Sequence, residues 1–559
     1  MRRRSASLTR LAIGATLLAS PASVGAHAVA GVMPGALATG GPGLLSHFDQ
    51  GRKDCLGTAR NRTSRVWYTI ANGVLSDVYE PNVDTTNIET MQYIVTDGST
   101  FTDLQTRDTT YTVSADGRGM VCTVTSTAKS GKYRLTTTYL TDPRRDSLVV
   151  DTRLTALQGS RADLKLYVRV DPTIGGNGGG GSASDQNAGA DSATVDTATG
   201  ALVSYDTSTA TVAVNRDYAL PTYLAVRADR PFLAASRGYA GSASDGLTQL
   251  DQNHALTAIS TDAPDGNVVQ TALLDTRRGG DVQLALGFGR TQAQAVAGAG
   301  ATLGATFNRL RDSYVSAWHA YDGRLAKPAS SLPGLSPSRA HRLRDAYYLG
   351  ANVLKASEDK QFPGAIVAAV ASPWGQAVSA GTTQNGAAPY FGSYREVFSR
   401  DLYEIFTGLL VDRDLATARD TARFLLESQQ LADGRIPRNS LVNGKSGPDA
   451  GGDQLDETAY PILMAWQAGL GGDTALYTDH IRKAAVVLSS RCAGFPAGTR
   501  RRTGAVGAGV WPSGSTPACE EALAGCLTVS DGGAPVLAGL AGARCGSEGH
   551  VRLAEMQPG

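Results

Sequence analysis

Three short motifs between Tyr394 and Gln467 bring together the residue types that handle sugars. They are Ser399-Arg400-Asp401-Leu402-Tyr403-Glu404, Gly434-Arg435-Ile436-Pro437-Arg438-Asn439-Ser440 and Gly452-Asp453-Gln454-Leu455-Asp456-Glu457-Thr458-Ala459-Tyr460-Pro461. Carboxylates, guanidinium forks and amides recur there just where apolar helices begin or end. Breaking a glycosidic bond takes a proton donor and usually a second carboxyl group, which either attacks the anomeric carbon or activates a water. Glu457 is placed to be the donor, at the head of a helix that runs on through Ala459-Tyr460-Pro461-Ile462-Leu463. Apolar neighbours such as Leu455 and Tyr460, and the like charge of Asp456, favour its protonated form. The plainer alternative is a helix cap, because the helix dipole welcomes acids at that end.

Arg400 and Asp401 pair a planar donor fork with an acceptor. Together they could hold adjacent sugar hydroxyls, or they could be an ion pair at a helix start. Arg438, Asn439 and Ser440 form a polar patch between helices, equally readable as substrate donors or as a loop. Trp374, in Ser372-Pro373-Trp374-Gly375, could stack on a sugar ring or fill a core. Trp466 lies on an apolar helix and reads as core. No Ser–His–Asp arrangement is visible, and His341, Asp345 and Glu358 match no metal-ligand spacing.

These residues need elements to position them. From about Gly43 to Gly289 the pattern is β. Trp67-Tyr68-Thr69-Ile70 runs into the turn signal Ala71-Asn72-Gly73, and Tyr133–Leu140, Ser147–Leu154, Leu164–Val170 and Asp281–Phe288 are rich in β-formers or alternate apolar with polar residues. Many short strands separated by turn residues predict a sandwich. Gly175–Ser184 is a Gly/Ser-rich loop. After Arg290 the period becomes helical, with Leu303, Phe307, Leu310 and Tyr314 spaced by three or four within Ala293–Leu325. Ser336-Pro337 caps a further helix, whose expected buried stripe is Leu343, Tyr347, Gly350 and Leu354. Leu415, Ala418, Ala422 and Leu425 mark another, and Ile462–Leu470 one more. The order is all-β, a linking helix, then all-α.

The 559 residues are too many for one ordinary domain. A 42% hydrophobic content can fill large cores, and a net charge of +1 leaves no basic stripe for nucleic acid. Arg2, Arg3, Arg4 and Arg10 precede the apolar run Leu11–Leu18, with Ala26-His27-Ala28 as a cleavage box. That predicts a secretion signal over 1–28 and a secreted product with no stable membrane span. Export would permit a Cys55–Cys122 bridge. From about Ser489 helical periodicity stops, while Arg500-Arg501-Arg502 and four of the six cysteines crowd the last part of the chain. This tail reads as out-of-frame translation or as low-complexity sequence.

At these motifs the chain resembles the bacterial branch of glycoside hydrolase family 15, the glucoamylase and glucodextranase family, with glucodextranase the nearer. The resemblance rests on Pro363-Gly364-Ala365-Ile366-Val367-Ala368 with Pro373-Trp374-Gly375, on Tyr394–Tyr403, on Pro437-Arg438-Asn439-Ser440, and on Gly452–Glu457 with Ala459-Tyr460-Pro461. In the front half Val66-Trp67-Tyr68-Thr69 and Leu75-Ser76-Asp77-Val78-Tyr79-Glu80-Pro81 carry it. It implies a multidomain β + α chain, an N-terminal antiparallel β-sandwich followed by an incomplete (α/α)6 barrel. The divisions expected are 1–28 signal, 40–290 sandwich, 291–335 linking helix and linker, 336–488 partial barrel and 489–559 aberrant tail. By resemblance Glu457 is the general acid, Arg400 and Asp401 grip the terminal glucose, and Trp374, Arg438 and Asn439 line the site.

The implied activity is an exo-acting, inverting α-glucosidase that releases β-D-glucose from dextran or another α-glucan. Glucoamylase action on α-1,4 links, or a non-catalytic carbohydrate-binding remnant, are the alternatives. The α-glucan would be the partner of a monomer. No cofactor is required, and Ca2+ enters by resemblance alone. An inverting site also needs a base roughly 6.5–9.5 Å from the acid. Its segment has no counterpart here, and Glu520 and Glu521 match no motif. Twelve average helices with loops need roughly 200 residues, more than 336–488 holds. The expectation is an inactive or poorly folded chain of hydrolase ancestry.

Overall fold

The structure is a computed structural model that describes residues 36–44, 53–176, 191–209, 217–329, 333–370, 394–447 and 454–493. The expected signal, Trp374, most of the Gly175–Ser184 loop, Glu520, Glu521 and the tail beyond Ala493 lie outside the described residues.

Two antiparallel sheets form the front of the molecule. One runs in the order Cys55–Thr58, Trp67–Ala71, Val74–Tyr79, Thr86–Thr96, Lys165–Gly176, Val268–Leu273 and Ala234–Tyr239, with Thr102–Leu104 beside Thr86–Thr96. The other runs Ala263–Gly266, Asp191–Asp196, Ala201–Asp206, Thr222–Ala228, Asp281–Gly289, Ser147–Ala156, Tyr133–Thr141, Val121–Ala128 and Thr109–Asp116. Tyr68, Ile70, Leu75 and Val78 of the first sheet meet Val124, Leu135, Leu148 and Val150 of the second in one core. This is the expected sandwich. Cys55 and Cys122 form a disulfide that ties the two sheets together, with Cα atoms 6.1 Å apart.

The Asn72-Gly73 signal makes a two-residue hairpin turn, with both residues at positive φ, 51° and 75°. Its two strands are buried on both faces. Alternate side chains along a strand point to opposite faces. Tyr68, Ile70 and Val78 therefore enter the sandwich core, while Trp67 and Tyr79 enter the core of the helical part. The Trp67 indole also donates to the Ala356 carbonyl at 2.9 Å.

The expected single helix over Ala293–Leu325 is two, α1 (Gln292–Leu303) and α2 (Phe307–Asp322). Gly304 closes the first, its N–H bonded back to Gly300, and Thr306 is extended before the second. The break lets α1 lie on the sheet at Val203 and Ala225 while α2 buries Leu310, Tyr314 and Trp318 against Leu140 and Val149.

Helix α3 (Pro337–Ala356) starts as expected, with the Ser336 hydroxyl accepting from Arg339 N–H at 3.4 Å and Pro337 in the first turn. Its buried face differs from the expected stripe. Leu343 is 48% exposed, Gly350 is exposed and Tyr347 and Leu354 are half-buried, whereas Ala340, Tyr348, Ala351 and Asn352 are buried. The small alanines let the helix sit close to a sandwich turn. There Asn352 donates to the Gly117 carbonyl at 3.0 Å, and Arg118 lies 4.4 Å over the Tyr348 ring.

Helix α4 (Ser399–Asp412) packs against α3, α5 (Leu415–Arg423) and α6 (Leu455–Gln467). Ala418, Ala422 and Leu425 are buried as the periodicity predicts, but Leu415, at the exposed first turn of α5, is not. A π-helical segment, Phe424–Gln429, continues α5, and α7 (Arg482–Ala493) runs past the expected break at 489. Gly364 has φ +81°, and a Cβ there would stand 2.1 Å from the Asp420 carbonyl oxygen of α5. Only glycine fits that approach.

Because Trp67 fills the helical core from a sandwich strand, Trp67→Ala should destabilise both parts together. The expected loss is about 3–5 kcal/mol, read as a lowered urea midpoint in one transition. Loss of one part's signal with the other unchanged would show that the two cores are independent.

Candidate active site

The first turns of α4 and α6 lie side by side and bring the expected residues together. Pro461 sits inside α6 and has no N–H to give to the carbonyl four residues back, that of Glu457. The Ser399 hydroxyl donates to that carbonyl instead, at 2.9 Å. This cross-helix bond fixes the start of α4 against the start of α6.

Arg400, one residue on, reaches across the same gap. Its Nε and Nη2 donate to Asp456 Oδ2 at 3.0 and 2.6 Å, and Nη2 also donates to Gln454 Oε1 at 2.7 Å. Nη2 lies 3.5 Å from Glu457 Oε1. The fork is thus held by Asp456 and Gln454 rather than by its neighbour Asp401. The Arg400 side chain is 48% exposed, so part of its donor surface faces solvent. Asp401 is half-buried on the same turn, and burial raises its pKa.

Glu457 is 1% exposed, and neither carboxyl oxygen has a hydrogen-bond partner among the described residues. Burial disfavours the charged form and pushes its pKa up to about 8; the Arg400 charge opposes the shift and Asp456 adds to it. At neutral pH this carboxyl carries a proton.

The Arg438–Asn439 segment is joined to the same place through backbone pairing. Phe398 pairs with Asn439 and Val397 with Ser440, which sets the segment directly before Ser399. Asn439 is buried and its amide donates to the Glu396 carboxylate, whereas Arg438 is half-buried. Thr458 of α6 accepts from Ile436 N–H at 3.1 Å. Tyr403 and Tyr460 stack with ring centroids 4.6 Å apart, a further clasp between α4 and α6.

Three contributors were not singled out from the sequence: Ser399, Gln454 and Asp456 in its role as the clamp on Arg400. All lie within the motifs. The proline four residues after Glu457 is the signal that could have found Ser399, since a carbonyl deprived of its helix donor needs another. Among the described residues no group of three or more His, Cys, Asp or Glu is placed to hold a metal ion. No helix among them is long and apolar enough to cross a membrane.

Two outcomes follow from this geometry. Ser399→Ala strips the Glu457 carbonyl of its donor and should cost about 1–3 kcal/mol in chemical denaturation; an unchanged midpoint would show that the bond is dispensable. The raised pKa of Glu457 makes stability fall as pH rises through the window from the ordinary carboxyl value to about 8, because only the unfolded chain ionises there. Glu457→Gln should flatten that fall by on the order of a few kcal/mol between about pH 5 and 8. Parallel stability–pH curves for the two proteins would mean that the carboxyl titrates normally.

Comparison with known proteins fits this arrangement. The family model "Glucodextranase, domain N" matches residues 38–323, just over half of the chain. A glucoamylase of Clostridium sp. (strain G0005) is 30% identical over 435 residues, which cover 77% of this chain and 55% of that protein. The crystal structure of a bacterial glucoamylase in complex with acarbose superposes with a TM-score of 0.68 at 28% identity, covering 81% of this chain and 60% of that one. The chain therefore spans a little over half the length of these relatives. Sandwich, helical part and motifs lead to one assignment: the chain belongs to the glucodextranase and glucoamylase family of glycoside hydrolases.

Proposed function

We propose that the chain carries the acid side of an exo-acting, inverting α-glucosidase site for the non-reducing ends of α-glucans, dextran foremost and starch as the alternative. The observation that supports it is the buried, protonated Glu457 carboxyl beside the half-exposed Arg400 fork. Glu457 gives its proton to the glycosidic oxygen as the bond to the leaving sugar breaks. Arg400 donates to hydroxyls of the terminal glucose and Asp401 accepts from them. Arg438 and Asn439 border the site, and Trp374 is assigned to stacking on the sugar from the resemblance of its motif. Inversion further requires a carboxylate to activate water on the opposite face of the ring. No motif of this sequence supplies one, so slow turnover or none is expected of the chain. A secreted monomer is the accompanying reading, and the Cys55–Cys122 disulfide supports an oxidising compartment.

The test measures glucose release from dextran, maltooligosaccharides and starch together with calorimetric binding of acarbose, the ligand of the related bacterial glucoamylase. Acarbose should bind, with affinity about tenfold lower in Arg400→Ala, whose lost contacts are charge-assisted. Residual glucose release should fall by about 10²–10⁴ in Glu457→Gln, as for loss of a general acid. Brisk turnover abolished by Glu457→Gln would keep the hydrolase and discard the missing base. Glycan affinity in a fragment ending near Leu325 would favour a sandwich that binds without cleaving. Release indifferent to Glu457→Gln would end the acid assignment.

A further inference from the structure

A second concave site lies where the sandwich, α2, α3 and the turn from α4 to α5 meet. It is a cleft of about 520 Å³, and neither Glu457 nor Arg400 lines it. Its cationic lining comes from separate parts of the chain: Arg60 and Arg62 from a sandwich loop, Arg324 just after α2, Lys355 near the end of α3 and Arg413 after α4. Two carboxylates, Asp414 and Asp420, share the wall, and the first turn of α5 completes it.

The five cations outnumber the three carboxylates within their reach, Asp414, Asp420 and Glu358, by two. Lys355 is committed to Glu358 and to Thr417, the latter at 2.6 Å. Arg62 reaches Glu358 only at 3.9 Å. The Asp414 carboxylate accepts from the Tyr321 hydroxyl at 2.9 Å, from the Thr417 hydroxyl at 2.8 Å and, as the cap of α5, from Thr417 N–H at 3.3 Å. The guanidinium groups of Arg60, Arg324 and Arg413 make no side-chain hydrogen bond or ion pair among the described residues. Arg60 and Arg324 both face the Tyr321 ring, at 4.5 and 6.0 Å from its centroid. The Arg60 Nε is buried without a partner, and burial lowers that residue's pKa.

The Tyr321 ring face attracts both guanidinium groups and Asp414 holds its hydroxyl, yet the surplus positive charge and the buried Arg60 Nε are still to be matched. Guanidinium forks match the paired oxygens of phosphate and carboxylate. A singly charged anion would match only one of these two surplus charges.

We propose that this cleft binds a small, multiply charged oxyanion of the phosphate or polycarboxylate kind, gripped by Arg60, Arg324 and Arg413 and separate from the sugar site. Because its walls come from both the sandwich and the helical part, the bound anion stabilises their union by binding only the folded chain.

The test is calorimetric titration of the full chain with inorganic phosphate and with citrate, against sodium chloride at matched ionic strength, accompanied by thermal melting. Saturable binding of one anion per chain is expected, with a rise in melting temperature that chloride does not reproduce. Arg324 and Arg413 are exposed, so Arg324→Gln and Arg413→Gln should fold normally. Each should weaken binding by about tenfold. Tighter binding of phosphate would assign a phosphoryl ligand, and tighter binding of citrate a polycarboxylate. Failure of both anions to bind saturably, or undiminished binding in the Arg324→Gln/Arg413→Gln double variant, would overturn the proposal.

Discussion

Holding the Glu457 carboxyl out of water is the constraint on which the site depends. Two influences work against it. The start of α6 presents partial positive charge, which favours a carboxylate, and Arg400 stands 3.5 Å away. Burial outweighs the arginine charge, and the pKa stays raised. In a wetter setting the same residues would leave an ordinary ionised glutamate at a helix start. The chemistry of the position is therefore set less by its immediate neighbours than by whatever keeps solvent from the gap between α4 and α6.

That exclusion is built from a distance. The core under α4 and α6 includes Leu402, Phe406 and Met464, but also Trp67, Tyr79 and Val83 from the sandwich. Asp359, after α3, accepts from Val83 N–H at 3.0 Å and from the Asn82 amide. Arg395, just ahead of α4, is buried and donates to the Asp84 carbonyl at 3.0 Å. The segment from Trp67 to Asp84 thus serves as a wall of the helical part. A β-domain that only carried the helical part on a tether would have no reason to bury both faces of a hairpin.

Much of this was legible because it is local. Asn72-Gly73 between apolar runs specifies a hairpin, and Ser336-Pro337 specifies a helix start, from chemistry within a few residues. The raised pKa of Glu457 could be suggested from Leu455, Asp456 and Tyr460 alone. The illegible parts are contacts between segments distant in sequence. An Ala- and Gly-rich run passes through Gly304 without an obvious stop, because what separates α1 from α2 is the pair of surfaces they cover. The buried face of α3 is chosen by a sandwich turn more than two hundred residues earlier, so Leu343 lost to Ala340 and Ala351. Arg400 beside Asp401 invited a local pairing, but side chains at successive helix positions do not face each other. Its real partner is 56 residues on.

The partnership of Arg400 with Asp456 has a consequence for ligand entry. A guanidinium left free would be a mobile donor needing to be ordered when sugar arrives. A deeply buried pair would be the opposite difficulty, since breaking it leaves an uncompensated charge. Here the arginine is 48% exposed and the aspartate 14%. Pairs that open to solvent contribute only about 0–1 kcal/mol. The contact therefore orients the fork at small thermodynamic cost to a competing hydroxyl, and Gln454 can hold one nitrogen while another turns to ligand. Because the same arginine also touches Glu457, any sugar that draws it away removes a positive charge from the carboxyl. Under the proposed function, that would raise the carboxyl's affinity for its proton while the sugar is bound.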